Sequence, residues 1–351
     1  MQGTDQSGAA KRLPPIDQVE QANLREVFRA ALRQAASDIY LFADRPPQIR
    51  CRGRITALVM PEQIEAKSAW DVVRCFVPWI SQRQYGQLRK NGALDIACDM
   101  STVGRYRVNL FRHIRGYSAI ARVIATELPD FASLNLPEPF LRQVDAPNGL
   151  VLVSGPTGSG KSTSLAMLLD RFLRTRGGHA ITVEDPVEFL FESDAGVVHQ
   201  REIGSHARSF AAALKAALRE DPDILLIGEL RDSASASLAL AAAETGHTVL
   251  ATLHASSSIG AIARLLDFFP ANKRHMARHM LADSLLAILA QRFVVTPKAV
   301  RRVAIETLVA TDAVRNLIRE ERTEQILSVM QTGRACGMRT MEQAVSALGT
   351  F

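Results

Sequence analysis

Gly155-Pro156-Thr157-Gly158-Ser159-Gly160-Lys161-Ser162 is the stretch on which the interpretation of this 351-residue sequence rests. It matches the pattern GxxxxGK[ST] at every specified position. The apolar run Leu150–Ser154 precedes it, and a segment of helical composition begins at Lys161. A strand, a glycine-rich turn and a helix in this order are typical of a phosphate-binding loop.

Each residue type in this loop has a physical task. The glycines let the chain curl so that its N–H groups point inward, and the following helix places its positive end beneath the phosphates. Lys161 is suited to neutralise the β- and γ-phosphate oxygens, and Ser162 to ligate Mg²⁺. The loop therefore predicts a site for ATP and Mg²⁺ rather than an ordinary glycine-rich turn. The predicted nucleotide contacts are Gly155, Pro156, Thr157, Gly158, Ser159, Gly160, Lys161, Ser162 and Thr163.

Downstream of the loop, short apolar runs alternate with helical segments. The runs are continuously apolar, as expected for strands buried on both faces of a sheet. The predicted strands are Leu150–Ser154, Ala180–Glu184, Ile224–Gly228 and Thr248–Thr252, and the predicted helices are Lys161–Arg174, Arg208–Arg219 and Ala234–Ala243. This alternation predicts a parallel sheet covered by helices, followed from about Ala261 by a mostly helical part.

The part of the chain before the loop has a different pattern. Residues 1–21 are polar and are interpreted as a flexible leader. Helical spacing over 22–36, a second helix over Trp70–Pro78 and alternating segments up to residue 124 indicate a small α+β domain over 22–125. The prolines of 126–149 mark a linker, and 150–351 is expected to form the α/β domain with its C-terminal helices.

Two carboxylates follow predicted strands of the parallel sheet. Glu184 opens the acidic cluster Glu184–Glu188, and Glu229 ends the apolar run Asp223–Gly228. Because the carboxyl ends of parallel strands meet at one edge, we expect both carboxylates beside the phosphates. Glu184 is suited to orient or deprotonate the attacking water, and Glu229 to hold the Mg²⁺ shell through water. The alternative for each is a solvated loop carboxylate.

Two histidines, His247 and His254, bracket the fourth predicted strand. A single histidine is more often a hydrogen-bonded structural residue than a catalytic one. However, a neutral imidazole just past the carboxyl end of this strand could donate a hydrogen bond to a γ-phosphate oxygen. Both histidines are therefore candidates for the catalytic site.

A basic strand lies in the N-terminal domain. Residues 104–110 alternate, with Arg105, Arg107 and Asn109 expected on one face and apolar or aromatic residues on the other. Arg107, together with Arg112 beyond it, is a candidate to reach a triphosphate within its own subunit or across an interface, where an arginine stabilises transition-state charge. The alternative is a basic face for nucleic acid, which the lack of stacking aromatics along that face disfavours.

Composition sets further limits. A hydrophobic content of 47% excludes general disorder, and a net charge of +6 permits acidic partners without identifying one. The four cysteines stand singly, which fits a reducing cytoplasm and argues against a zinc site. We expect neither a signal peptide nor a transmembrane helix, so contact with a membrane would need a partner.

In combination, these motifs resemble the PilT-type ATPases of the type II/IV secretion ATPase superfamily, which drive type IV pilus retraction and twitching motility. Four boxes stand in the family's order: GPTGSGKST at 155–163, ITVEDPVEF at 181–189, DPDILLIGELRD at 221–232 and TGHTVLATLHA at 245–255. Residues 36–41 are similar to the family's ASDLHL element, with Tyr40 where histidine is usual. The match implies that Glu184 is the catalytic glutamate, Glu229 the Walker B acid, and His247 and His254 the histidine-box positions.

A C-terminal element indicates one branch of this family. Retraction motors carry the sequence AIRNLIRE, and this chain departs from it by one methylene at Val314. Assembly and type II secretion ATPases usually lack this element and carry a four-cysteine zinc module. A simpler interpretation, an amphipathic helix with buried apolar residues, is compatible with the retraction assignment. The element comprises Ala313, Val314, Arg315, Asn316, Leu317, Ile318, Arg319 and Glu320.

The resemblance also implies a fold, partners and a location. The fold is α/β, with an N-terminal PAS-like α+β domain followed by a RecA-like P-loop ATPase domain whose C-terminal part is helical. The family forms homohexameric rings in which hydrolysis moves these domains against each other and acts on an inner-membrane platform protein. The chain would be cytoplasmic, peripheral at the cytoplasmic face of the inner membrane through partners, and without direct nucleic-acid binding.

Other functions stay open at this point. A PilT-like ATPase that powers a type IV secretion or conjugation apparatus would share these motifs. A weakly active nucleotide-binding accessory subunit is a different class, disfavoured because all expected catalytic residues are present. A nucleic-acid translocase rests on the basic charge alone.

Overall fold

The computed structural model describes residues 12–51, 53–60, 71–100, 102–124, 128–191, 196–295 and 301–349. The chain folds into two compact units, Met1–Thr126 and Glu127–Phe351, each with its own hydrophobic core. Residues 1–11 of the expected leader lie outside the described residues. Its end does not: helix α1, Gln18–Arg33, begins inside the leader, with the Asp17 carboxylate as its N-cap.

The N-terminal unit is built on a six-stranded antiparallel sheet in the order β3-β2-β1-β6-β5-β4. Its strands are β1 Asp38–Leu41, β2 Gln48–Cys51, β3 Arg54–Ala57, β4 Ala93–Met100, β5 Gly104–His113 and β6 Gly116–Ile124. The helices are α1, α2 Val72–Cys75 and α3 Gln82–Asn91, while Trp70 of the expected second helix lies outside the described residues.

Aromatic contacts fix helix α1 on this sheet. Phe28 of α1 meets Tyr106 of β5 edge to face, with ring centroids 4.5 Å apart, and Phe76 at 6.4 Å. All three rings are fully buried. Such pairs contribute about 0.5–1.5 kcal/mol each beyond the area they bury, so they add directional packing to the apolar face of α1.

The C-terminal unit contains a seven-stranded sheet in the order β13-β12-β7-β11-β10-β8-β9. Its strands are β7 Gly149–Ser154, β8 His179–Glu184, β9 Val197–Glu202, β10 Ile224–Ile227, β11 Thr248–Leu253, β12 Leu285–Val295 and β13 Arg301–Val309. The helices are α4 Glu138–Val144, α5 Lys161–Arg176, α6 Phe210–Ala217, α7 Ser233–Glu244, α8 Ser258–Asp267, α9 Ala271–Ser284, α10 Asp312–Arg319, α11 Ile326–Thr332 and α12 Met341–Ala347.

All neighbours in this sheet run parallel except the antiparallel pair β12–β13. Every residue of β7, β10 and β11 is buried, because helices cover both faces of a parallel sheet. Strand direction therefore brings the carboxyl ends of β7, β8, β10 and β11 to one edge, where the predicted phosphate loop begins.

The part from about Ala261 contains helices α8 to α12, as expected, but the prediction missed two strands. Strands β12 and β13 extend the sheet on the far side of β7, and β12 pairs with β7 in parallel. The run Leu285–Ala290 is continuously apolar, so its periodicity cannot separate a buried strand from a buried helix. Strand β9 on the opposite edge was also absent from the sequence prediction.

The expected linker at 126–149 differs from the structure over most of its length. Helix α4 lies inside it, and Phe140 of this helix is fully buried in the core of the C-terminal unit. Gly337 allows the close approach: a Cβ there would lie 2.5 Å from the Phe140 backbone nitrogen. Prolines end helices at defined points, but they do not exclude a short buried helix between them.

No helix among the described residues is long and apolar enough to span a membrane.

Replacing the buried ring of α4 tests this packing. We expect Phe140→Ala to lower the free energy of unfolding of the C-terminal unit by about 3–5 kcal/mol, because it leaves a cavity in the core. The matched control is Glu138→Ala, which changes an exposed residue of the same helix. Chemical denaturation followed by circular dichroism measures both, and equal stability of the two variants would show that α4 is only a linker.

A candidate nucleotide-binding site at the sheet edge

The glycine-rich loop connects the carboxyl end of β7 to the amino end of α5. Gly155 adopts φ +153° and Gly160 φ +89°, conformations that residues with a Cβ seldom adopt. A Cβ at Gly155 would also lie 2.5 Å from the Ser159 hydroxyl oxygen. The loop is therefore compact, and it caps α5 at Gly160, so that the first N–H groups of the helix face the sheet edge.

Ser159 sits at the centre of this loop. Gln291 of β12 donates a hydrogen bond from Nε2 to the Ser159 carbonyl oxygen at 2.7 Å, which ties the loop to the neighbouring strand. The Ser159 hydroxyl is buried and has no hydrogen-bond partner among the residues that the structure describes. A buried polar atom without a partner costs about 1–3 kcal/mol, so this hydroxyl is available to a polar ligand of the loop.

Lys161, the first residue of α5, carries a buried ammonium group. It donates to the carbonyl oxygens of Gly155 at 2.9 Å and Pro156 at 3.0 Å. Burial lowers the pKa of Lys161, and the charges of Glu229 and Glu188 oppose that shift. The ammonium thus lies against the loop itself, facing carboxylates that the next strands supply.

His254 bridges Lys161 and Glu229. Its Nδ1 lies 3.4 Å from Lys161 Nζ, and its Nε2 lies 3.2 Å from Glu229 Oε1. Glu229 is held from its other side by Arg231, whose Nε is 2.7 Å from Oε2. Arg231 also contacts Asp185 at 3.0 Å. The ends of β7, β8, β10 and β11 are joined in one polar network, as their parallel directions require.

Glu184 is the last residue of β8 and is almost fully buried. Thr182 donates a hydrogen bond to its Oε1 at 2.7 Å, and Gln200 of β9 donates to the same oxygen at 3.4 Å. Burial raises the pKa of Glu184 to about 6, although these hydrogen bonds act in the opposite direction. A carboxylate with this pKa can accept a proton near neutral pH, as a general base must.

His247 lies elsewhere. It precedes β11 and is therefore at the amino edge of the sheet, about 20 Å from His254 at the usual rise of a strand. It contacts the Ala242 carbonyl and lines a cavity of about 410 Å³ at that edge. Within one chain, His247 and His254 therefore lie at opposite ends of the same extended strand, and a catalytic role for His247 stays a prediction.

The two candidate arginines belong to the N-terminal unit. Arg107 is exposed and lies 3.8 Å from Asp95 across the β4–β5 pair, and Arg112 is exposed near the end of β5. The expected separation of faces is incomplete, because Arg105 is buried together with Tyr106. Whether Arg107 or Arg112 reaches a nucleotide stays a prediction.

The family model described as type II/IV secretion system protein matches residues 16–347. The chain belongs to that family. It is 40% identical over 327 residues to a twitching motility protein of Neisseria gonorrhoeae, covering 93% of this chain and 86% of that protein. It is 39% identical over 326 residues to the type IV pilus retraction ATPase PilT of Pseudomonas aeruginosa, covering 93% and 94%.

A solved structure is similar over the same length. The crystal structure of the pilus retraction motor PilT with bound ADP matches this type II/IV secretion family member with a TM-score of 0.83 and 38% identity. The match covers 93% of this chain and 92% of that one. The mixed α/β fold of the PilT ATPase therefore extends through nearly the whole chain.

The retraction-type element of this family member forms helix α10 with the cap Glu320. Val314 and Ile318 are fully buried, and Leu317 packs against the same core. Arg315 donates to the carbonyl oxygens of Ala310 at 2.9 Å and Asp283 at 2.7 Å, the latter at the end of α9. Ala313 and Asn316 are exposed, so α10 has a structural face and a free face.

Several residues of the site escaped the sequence analysis. Gln200 and Gln291 lie on β9 and β12, strands that were not predicted, so nothing placed their amides near the loop. Thr182 stands two residues before Glu184 on the same strand, a spacing that puts both side chains on one face. Arg231 follows Glu229 by two residues. Its charge next to an expected site with two carboxylates, Glu184 and Glu229, was a signal that could have identified it.

Removal of the loop cation is the direct test of nucleotide binding. We expect Lys161→Ala to lose ATP binding, because no other side chain supplies a positive charge inside the loop. Equilibrium binding of a fluorescent ATP analogue measures the effect. Arg174→Ala, on an exposed turn of the same helix, is the matched control and should bind as the wild type does.

The buried carboxylate gives a second test. We expect Glu184→Gln to bind ATP and to lose hydrolysis, since the amide cannot take a proton from water. In the wild type, the rate of hydrolysis should rise with pH through about 6, because the raised pKa keeps Glu184 protonated and inactive below that value. Steady-state kcat at saturating ATP from pH 5 to 8 measures this. If Glu184→Gln hydrolysed ATP at the wild-type rate, the assignment of Glu184 as the general base would be wrong.

Proposed function

We propose that this chain is a motor ATPase that couples ATP hydrolysis to type IV pilus retraction. One observation carries the proposal: the loop, Lys161, His254 and Glu229 form one polar network in a chain that is 39% identical, over 93% of its length, to a pilus retraction ATPase. The α10 element supports the retraction branch of the family.

Nucleotide would bind at the loop from Gly155 to Thr163. The buried, unpartnered Ser159 hydroxyl and the close-packed glycine at 155 suit a ligand of many acceptor oxygens, and the related PilT structure holds ADP. Ser162 and, through water, Glu229 would hold Mg²⁺, since hydroxyl, carboxylate and water oxygens are the ligands this ion prefers. When bound, Mg²⁺ would neutralise charge on the phosphate oxygens.

Different residues of the chain would have different roles in hydrolysis. Glu184, fixed by Thr182 and Gln200, would orient the attacking water and take its proton. His254 would exchange its contact with Lys161 for a hydrogen bond to the terminal phosphate. Because His254 also contacts Glu229, the position of Glu229 would then depend on whether the terminal phosphate is present. Arg107 and Arg112 would supply positive charge to the transition state, across a subunit boundary.

The assembly would be a homohexamer. We propose a PAS-like fold for the N-terminal unit over 22–125 and a RecA-like fold for the ATPase unit, which begins before residue 150 because α4 belongs to its core. Movement of these units would act on an inner-membrane platform protein. The chain would then work in the cytoplasm, peripheral to the inner membrane through that partner and without direct nucleic-acid contact.

A deletion strain of the source organism distinguishes the possible machines. We expect excess surface pili and lost twitching, because pili would be assembled but not withdrawn. The wild-type gene should restore twitching, and the Lys161→Ala gene should not. Electron microscopy of surface pili gives the answer. Absent pili would indicate an assembly ATPase, and normal pili with failed transfer would indicate a secretion or conjugation ATPase; either result contradicts the proposal.

A further inference from the structure

The amino edge of the C-terminal sheet carries a second concentration of titratable side chains. A cavity of about 650 Å³ opens between the start of β8 and the start of β9. It lies at the end of these strands opposite Glu184, so it is separate from the proposed nucleotide site. Its lining residues are Gly178, His179, Gly196, Val197, His199, Glu220, Asp221 and Asp223.

Two imidazoles face each other in this cavity. His179 Nε2 lies 2.9 Å from His199 Nδ1, and the rings meet edge to face with centroids 5.0 Å apart. The strands fix this approach, because His199 pairs with Ile181 in the parallel ladder and His179 stands two residues before it. Side chains at such diagonal positions share one face of the sheet.

The orientation of His179 is set by two further contacts. Its Nδ1 lies 3.1 Å from the carbonyl oxygen of Asp221, and its backbone N–H donates to Asp223 Oδ2 at 2.7 Å. A carbonyl oxygen only accepts hydrogen bonds, so Nδ1 carries the proton and Nε2 presents a lone pair. In the metal-free protein this lone pair accepts the 2.9 Å hydrogen bond from His199 Nδ1. A metal ion would take the place of the shared proton, and a histidine held by a carbonyl through its other ring nitrogen is a usual metal ligand.

The charge around the cavity favours a cation. Glu220, Asp221 and Asp223 line it, and a salt bridge from Arg201, at 2.7 Å, neutralises Glu220. Two carboxylates therefore remain to offset positive charge. Asp221 adopts φ +52°, which turns its carbonyl toward His179.

We propose that His179 and His199 bind a divalent transition-metal ion, with Zn²⁺ as the representative. Two nitrogens at about 2.0–2.1 Å from one ion, with an angle of about 90–109° between them, lie about 2.8–3.4 Å apart, and the observed 2.9 Å falls in this interval. Among the described residues no group of three or more histidine, cysteine or acidic side chains is arranged to hold a metal. Water would therefore complete the coordination of this two-nitrogen site.

An ion here would join β9 to β8 at their amino ends. The same two strands carry Gln200 and Glu184 toward their carboxyl ends, and Gln200 also donates to the Phe189 carbonyl at 2.8 Å. In the part of the chain that the structure describes, β9 is an edge strand whose one partner strand is β8. The ion would hold the strand that orients the proposed catalytic carboxylate, and this consequence rests on the proposed function while the binding itself does not.

Calorimetric titration of the full-length, nucleotide-free protein with ZnCl₂ tests the site. We expect one ion per chain, and we expect His199→Ala to weaken binding by about tenfold or more, because it removes one of two protein ligands. His199 is exposed, so its replacement should leave the fold intact, which a metal-free melting curve checks. Co²⁺ in place of Zn²⁺ should give a visible absorption band in the wild-type protein. Both His179→Ala and His199→Ala should remove this band.

The chain offers a matched control. His275 and His279 stand one turn apart on α9 with their Nε2 atoms 3.3 Å apart, which also lies within the interval for two ligands of one ion. Lys273, Arg274 and Arg278 stand on the same helix, so this pair lies among positive charges, whereas carboxylates line the cavity of His179 and His199. The double variant His275→Ala/His279→Ala should keep Zn²⁺ binding. If that variant loses the ion while His199→Ala keeps it, or if all variants bind equally, the proposal is wrong. Absence of binding by the wild-type protein overturns it as well.

Discussion

Burial of the Lys161 ammonium constrains the whole ATPase unit. A charged group away from water needs acceptors and opposite charge nearby, and here these come from separate strands. The carbonyl oxygens of Gly155 and Pro156 accept hydrogen bonds from the ammonium, and the negative charge of Glu229 offsets its positive charge. Because Glu229 must stand at the same sheet edge as the loop, β10 must run parallel to β7, and the helices between the strands follow from that direction.

The unit has a polar network at each of the two edges of its sheet. At the carboxyl edge, His254 contacts both Lys161 and Glu229, so a displacement of the lysine ammonium changes the hydrogen bonding of the carboxylate. At the amino edge, His179 is fixed by a backbone carbonyl and faces a second histidine. Both edges use residues at or near the ends of strands, where side chains from neighbouring strands can converge. The buried strands between them hold the two edges at a fixed separation.

Much of this architecture could be predicted from the sequence, and the failures have a common cause. The phosphate loop, four parallel strands and their helices carry local signals, namely glycines at fixed spacing and continuous apolar runs. Strands β9 and β12 do not: one is exposed at a sheet edge, and the other is an apolar run that could equally be helical. Gln200 and Gln291 were missed with them. His247 was expected beside His254 because proximity in sequence was taken as proximity in space, although an extended strand separates the two within one chain.

The interior position of β7 in the sheet has a consequence for synthesis of the chain. This strand carries the phosphate loop, yet its two neighbours, β11 and β12, come much later in the sequence. Pairing them requires closure of long loops, which slows folding relative to local contacts. Until the ribosome has made β11 and then β12, the corresponding edges of β7 present backbone N–H and C=O groups that can pair with other chains. The ATPase unit therefore depends on protection during translation more than the N-terminal unit, whose β4, β5 and β6 pair in sequence order.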